Sequence, residues 1–201
     1  MFPVILFDVG GVLLTNGWDH GERSAAVAHF GLDGAEFERL HAPAYDAWER
    51  GNIDLAAYLD QTVFTGPRTF TQEEFYRFML AGSKKFPDSA LGILSELAAS
   101  HKYLLGALNN EAREPNEFRF EHFGLSRYLA FRFSSCYLGL RKPEPAIFHR
   151  ALDLLNRDAQ EVIFIDDRAE NVAASQAVGM DGIHFTGAEK LRAELKNRGI
   201  L

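Results

Sequence analysis

The sequence has a single cysteine, Cys136, so no internal disulfide can form. A lone cysteine in a reducing compartment most often serves as a small packing residue. Positive charge is also scarce: 21 Lys and Arg face 28 Asp and Glu, a net charge of −7 with no basic run. That balance argues against nucleic acid held through phosphate contacts. A small anionic ligand stays open, because a local cluster of cations and backbone N–H groups can outweigh the average. No apolar run approaches the ~18 residues of a membrane span. The apolar start is short before Asp8 and carries no basic n-region, unlike a signal peptide. No membrane partner and a cytoplasmic location are therefore the expectation. Repeats and low-complexity segments are absent as well. What is present is globular in composition, 47% hydrophobic and 24% charged, with 17 Phe for a core. The 201 residues suit one domain or a domain with an insert.

The stretch from Phe2 to Leu14 organises the rest. Val4-Ile5-Leu6-Phe7 is a short apolar run with β-branched residues, the signature of a buried strand. Asp8 ends it and Gly10-Gly11 breaks it. From Thr15 to about Lys85 the character is helical, over Val27–Leu40, Ala44–Arg50, Leu55–Val63 and Gln72–Leu80. Breaks are expected at residues 31–34, Pro43, Gly51-Asn52 and Gly66-Pro67. Thr71 with Glu74 reads as a capping box, and Asp54 as part of a helix start. From Phe86 onward strands and helices alternate: strands at Tyr103–Leu108, Phe131–Phe133, Val162–Ile165 and Gly182–Phe185, helices between them. Pro143 is expected in the first turn of a helix to Leu155. Such alternation predicts an α/β fold, a Rossmann-like parallel sheet with helices on both faces. The expected organisation is a core of 1–14 and 86–201 with an all-helical cap of 15–85.

Polar residues fall where a parallel sheet builds its sites. Asp8, Asn109 and Asp166-Asp167 each follow an apolar strand, and strand ends converge on one edge. Lys142, before a helix, can reach the same edge. Carboxylates suit Mg²⁺, which takes one or two of them and accepts phosphate oxygens. A carboxylate can also attack phosphorus. Its obstacle is repulsion, about 4 kcal/mol per pair of unit charges at ~4 Å and a dielectric near 20. A divalent cation and a lysine would offset it.

Four segments resemble the motifs of the haloacid dehalogenase-like (HAD) superfamily. They are Phe7-Asp8-Val9-Gly10-Gly11-Val12-Leu13, the strand ending in Asn109-Asn110, Arg141-Lys142-Pro143-Glu144, and Ile165 to Asn171 with Gly179-Met180. The helical insert is similar to the cap many members carry, and Trp48-Glu49-Arg50-Gly51-Asn52-Ile53 to a segment common in such caps. The resemblance implies a Mg²⁺-dependent phosphatase for a small phosphorylated metabolite, for example a sugar phosphate. Asp8 would be the nucleophile, and Asp8, the Gly10 carbonyl and Asp166 would bind Mg²⁺. Asn109, in place of the family's Ser or Thr, would donate to phosphate with the Asn110 backbone beside it. Lys142 would steady the charge, and Asp167 and Asn171 would brace the metal.

Gly10 stands where most phosphatases of the family have an acid–base Asp. General acid help is worth ~10²–10⁴-fold, so either the leaving group needs little protonation or a cap residue substitutes, with Asp19, His20 and His41 as candidates. Arg141 reads as surface, Glu111 as the start of a helix, and Trp18, Trp48 and Tyr45 as cap core. Two rival readings are a metal-independent dehalogenase and a catalytically impaired ligand-binding member.

Overall fold

The computed structural model describes residues 3–201; Met1 and Phe2, which the expected core segment and the opening stretch include, lie outside the described residues. Five strands form one parallel sheet: β1 Val4–Phe7, β2 Leu104–Asn109, β3 Phe131–Ser134, β4 Val162–Asp166 and β5 Asp181–His184, in the order β3-β2-β1-β4-β5. Central β1 is fully buried, which explains why its sequence is continuously apolar rather than alternating. Val4 and Leu6 face one core, with Ile147, Phe148 and Ala151 of α8 (Pro145–Leu155). Ile5 and Phe7 face the other, with Leu94 of α5 (Leu91–Ser100), Phe120 of α6 (Arg113–His122) and Leu195 of α10 (Ala188–Asn197). Helix α9 (Ala169–Ala177) follows β4. Among the described residues no helix is long and apolar enough to cross a membrane.

Between β1 and α5 lie four helices, α1 His20–Phe30, α2 Gly34–Glu49, α3 Leu55–Thr62 and α4 Gln72–Gly82. They share an aromatic core of Trp18, Phe37, Trp48, Tyr58 and Phe75. Asp19, Asp33 and Asp54 cap α1, α2 and α3 through their carboxylates, and the Thr71–Glu74 capping box of α4 is formed. Two expectations are corrected here. The first insert helix begins at His20, not Val27, because Asp19 supplies its N-cap. Pro43 does not divide α2; it costs one backbone hydrogen bond, but Phe37, His41, Ala44 and Trp48 bury one continuous face across it. Further along, α8 starts at Pro145 rather than Pro143, whose peptide bond to Lys142 is cis. A short helix the pattern did not announce, α7 (Ser135–Leu138), follows β3 directly.

The register fixes where the strands end. Phe7 pairs with Ala107 on one side and Ile165 on the other. The next residues in β1 and β4 are Asp8 and Asp166, so the two carboxylates emerge side by side. In the strand order β1 lies where the chain turns from β2 on one flank to β4 on the other, the switch point at which open α/β sheets bind ligands.

Candidate active site

Lys142 ties the two strand ends together. Its Nζ lies 3.0 Å from Asp8 Oδ1 and donates to Asp166 Oδ2 at 2.6 Å. All three residues are buried. The lysine is aimed by Asn110, whose side chain accepts from the Lys142 N–H at 2.9 Å and donates to its carbonyl at 2.8 Å. Asp166 is held by the Asn171 amide, at 3.0 and 3.1 Å from its two oxygens, and by the Arg168 N–H at 2.8 Å. The Val9 N–H donates to Asp8 Oδ1 at 2.7 Å. Both polar neighbours of Asp8 therefore sit on Oδ1, and among the described residues Oδ2 accepts no hydrogen bond.

Charge is unbalanced at this edge. Oxygens of Asp8, Asp166 and Asp167 lie within 4.8 Å of one another. Burial pushes the Asp8 carboxyl up to about 8; Lys142 opposes this, while Asp166 and Asp167 add to it. Burial acts the same way on Asp166, but Lys142, the Arg168 N–H and Asn171 outweigh it and hold that carboxyl below its ordinary value. Burial would lower the Lys142 ammonium, yet its two carboxylate neighbours raise it, so the cation persists. Asp167 is raised by burial and then by Asp166, and its buried Oδ1 has no hydrogen-bond partner among the described residues. Three carboxylates, one of them Asp167 with an orphaned oxygen, offer hard donors that fit a divalent cation such as Mg²⁺. Gly11 permits the approach: its φ is +71°, and a Cβ there would stand 2.1 Å from Asp167 Oδ2.

A cavity of about 310 Å³ opens over Asp8, Gly10 and Lys142. The insert closes it with Trp18, His20, Arg23, Tyr45 and Glu49. The end of α2 is fastened to the loop that carries Lys142. Arg141 lies 2.5 Å from both Asp46 and Glu49, and Arg50 pairs with Glu144. Deeper in, the buried Arg119 donates to Glu111 and to the Thr15 carbonyl, both at 2.5 Å, which anchors the chain where it enters the insert.

The sequence model of the family described as haloacid dehalogenase-like hydrolase matches residues 2–179. The chain belongs to that family. Flavin mononucleotide hydrolase 1 of Arabidopsis thaliana is 30% identical over 199 residues, 98% of this chain and 78% of that protein. A sesquiterpene phosphatase of Aspergillus oryzae is 27% identical over 204 residues, 97% of this chain and 95% of its own. A phosphoglycolate phosphatase of Rhodospirillum rubrum is 31% identical over 163 residues, 78% of this chain and 62% of that protein. In three dimensions, a HAD family enzyme of Bacteroides thetaiotaomicron superposes with a TM-score of 0.83 at 20% identity, covering 96% of this chain and 98% of that one. The protein is thus an enzyme of the HAD-like hydrolases, of the phosphatase kind its curated relatives represent.

Of the residues singled out in this HAD-like chain, Asp8, Lys142, Asp166, Asp167 and Asn171 come together, with Gly10 and Asn110 on the cavity wall. Asn109 does not join them. It pairs with Ser134 across β2–β3, accepts from the Ser134 hydroxyl at 2.8 Å and donates to Asn116 at 3.2 Å. Its side chain is 1% exposed and does not line the cavity, so the expected donation to phosphate is corrected. Arg141 is not a free surface residue, and Glu111 is buried against Arg119 rather than opening a helix. Trp48 lies in the aromatic core of the inserted helices, whereas Trp18 and Tyr45 also line the cavity. Of the cap candidates, Asp19 and His20 reach the cavity, while His41 is buried against the Tyr58 hydroxyl at 2.9 Å. Glu49, Arg23, Glu111 and Arg119 were not foreseen as wall residues. The similarity of the segment around Glu49 to HAD caps was the one available signal.

Proposed function

We propose that the protein is a Mg²⁺-dependent phosphatase that hydrolyses a small phosphorylated metabolite through an aspartyl-phosphate on Asp8. The observation that carries the reading is the single lysine shared by two buried carboxylates at the switch point, open to a cavity. The names of the curated relatives support a phosphate ester as substrate. The Bacteroides enzyme, whose structure contains magnesium and inorganic phosphate, supports the metal. The cavity, at about 310 Å³, lies at the small end of the ~300–1,000 Å³ usual for ligand pockets and favours a compact ester, with sugar phosphates the first class to test.

Asp8, Asp166 and the Gly10 carbonyl are the groups that would hold Mg²⁺, which neutralises phosphate charge when bound. Lys142 holds Asp8 Oδ1 in place and adds a positive charge beside the phosphoryl group. Asp8 Oδ2, the oxygen without a donor, is the nucleophile. Asn171 and the Arg168 N–H keep Asp166 turned toward the lysine. The insert covers the site and excludes bulk water.

The test is a panel of phosphorylated metabolites assayed with and without Mg²⁺, repeated with Asp8→Asn. Turnover that needs both the metal and Asp8 is the expected result. Phosphate turnover that survives chelation would overturn the metal dependence, turnover of a haloacid in chelator would favour the dehalogenase reading, and a blank panel with thermal stabilisation by a metabolite would favour a ligand-binding member.

A further inference from the structure

In this cavity the departing alcohol has no obvious proton donor. Gly10 carries no side chain, and a Cβ there would meet Asn16 Oδ1 at 2.9 Å. Asp19 is spent on capping α1 through the Glu22 N–H. His20 is largely exposed at the rim, 3.6 Å from Glu38. Glu111 is held by Arg119. Glu49 remains. It is 4% exposed, lines the same cavity as Asp8, and comes from the insert, opposite the strand ends.

We propose that Glu49 is the general acid that protonates the leaving oxygen, and then the base that takes a proton from the attacking water. This rests on the phosphatase reading. As Asp8 Oδ2 bonds to phosphorus, the bond from phosphorus to the leaving oxygen breaks and the Glu49 proton passes to that oxygen, releasing a neutral alcohol. Water then adds to phosphorus, its proton goes to the Glu49 carboxylate, and the bond to Asp8 breaks to release phosphate. Proton and phosphoryl group are both accounted for.

Three features support the role. The first is position. The Ser135 hydroxyl donates to the Glu49 carbonyl at 2.6 Å, and Gly51, with φ +71°, lies so close to the Cys136 carbonyl that a Cβ would stand 2.2 Å from its oxygen. The residue is thereby fixed relative to the core through its backbone, in addition to the pairing of its carboxyl with Arg141. The second is the division between its two oxygens. Arg141 lies 2.5 Å from the buried Oε2 and holds that side of the carboxyl, which leaves Oε1 as the oxygen to carry the proton. The third is cavity size: an ester filling about 310 Å³ meets both the Asp8 wall and the Glu49 wall. The surroundings of Glu49 suit alternation between acid and base. Burial lifts its carboxyl to about 7, Arg141, Tyr45 and Arg168 opposing and Glu111 adding, so both forms are populated near neutrality.

The experiment compares wild type and Glu49→Gln, both with Mg²⁺, on a series from nitrophenyl phosphate to simple alkyl phosphates, reading kcat/KM. That parameter covers only the steps up to release of the alcohol, so the later water step does not enter. Wild type should show kcat/KM nearly independent of leaving-group basicity. Glu49→Gln should lose ~10²–10⁴-fold on alkyl phosphates and less than tenfold on nitrophenyl phosphate. The wild-type alkyl rate should fall as pH rises above about 7, a limb absent with nitrophenyl phosphate. Equal losses across the series would reduce Glu49 to a structural part and overturn the proposal. A steep dependence on leaving group in wild type would overturn it without any variant. A flat dependence retained in Glu49→Gln would assign the proton to another group, His20 first. Wild type inert toward every phosphate would instead sink the phosphatase reading.

Discussion

Replacing Lys142 with Met removes the ammonium that bridges Asp8 and Asp166 and leaves the packing volume nearly unchanged. The structure sets the size of the effect. Lys142 is 4% exposed and meets carboxylates at 3.0 and 2.6 Å. Removing one partner of a buried ion pair costs about 3–5 kcal/mol, because the remaining charge is uncompensated. For a chain of this length each kcal/mol shifts Tm by ~2–4 °C, so the metal-free variant should melt roughly 6–20 °C below wild type. The deficit should depend on pH. The folded Asp8 carboxyl is raised from 3.8 to about 8, so its contribution to stability is present at acid pH and lost as pH rises through about 8. Without the lysine this loss deepens, making the deficit smallest near pH 4 and largest toward pH 8. Mg²⁺ binding to the same carboxylates should recover stability, ~2.7 kcal/mol at a hundred times Kd. The assay is thermal unfolding in chelator across that pH range, followed by a Mg²⁺ titration. A variant as stable as wild type at every pH and indifferent to Mg²⁺ would refute the reasoning.

Other expectations follow from the same geometry. Asp8→Asn should fold but lose at least ~10³-fold in steady-state phosphatase turnover, since the nucleophile is gone. Gly51→Ala should destabilise by about 1–3 kcal/mol, measured by urea unfolding, because its backbone is left-handed and a Cβ would collide with the Cys136 carbonyl. His41 is buried neutral, its imidazole lowered to about 4 first by burial and then by Arg23, with Glu38 opposing. Its contribution to stability is therefore complete above 6.5 and lost as pH falls toward 4, about 2–3 kcal/mol in all. His41→Gln should flatten that acid limb in urea midpoints measured against pH.

Much of this architecture can be read from the chain because the relevant physics is local. Val4 to Phe7 is apolar at every position since β1 is covered on both faces, and its register then delivers Asp8 beside Asp166. The Lys142 side chain was legible for the same reason, standing in a loop at the carboxyl edge. Side-chain rotation at a strand end is a tertiary matter. Asn109 is turned away by Ser134 one strand over and Asn116 in the next helix, neither visible from its own segment. Buried charges separated in sequence are hidden likewise. The partners of Arg141 lie in α2, and Arg119 reaches back to Thr15, so both look like ordinary surface arginines until the insert is seated. Pro43 misleads in the opposite sense, because a long buried helix face outweighs one missing backbone hydrogen bond.

The central claim is that Asp8 takes the phosphoryl group, with a divalent cation shared by Asp8 and Asp166. It is tested most directly by acid-quenching the enzyme during turnover and measuring the mass of the peptide that contains Asp8. A gain of one phosphoryl group on that peptide with Mg²⁺ present, absent in chelator and in Asp8→Asn, is the predicted result. Continued turnover with the peptide unmodified, or an adduct that forms without metal, would contradict the account.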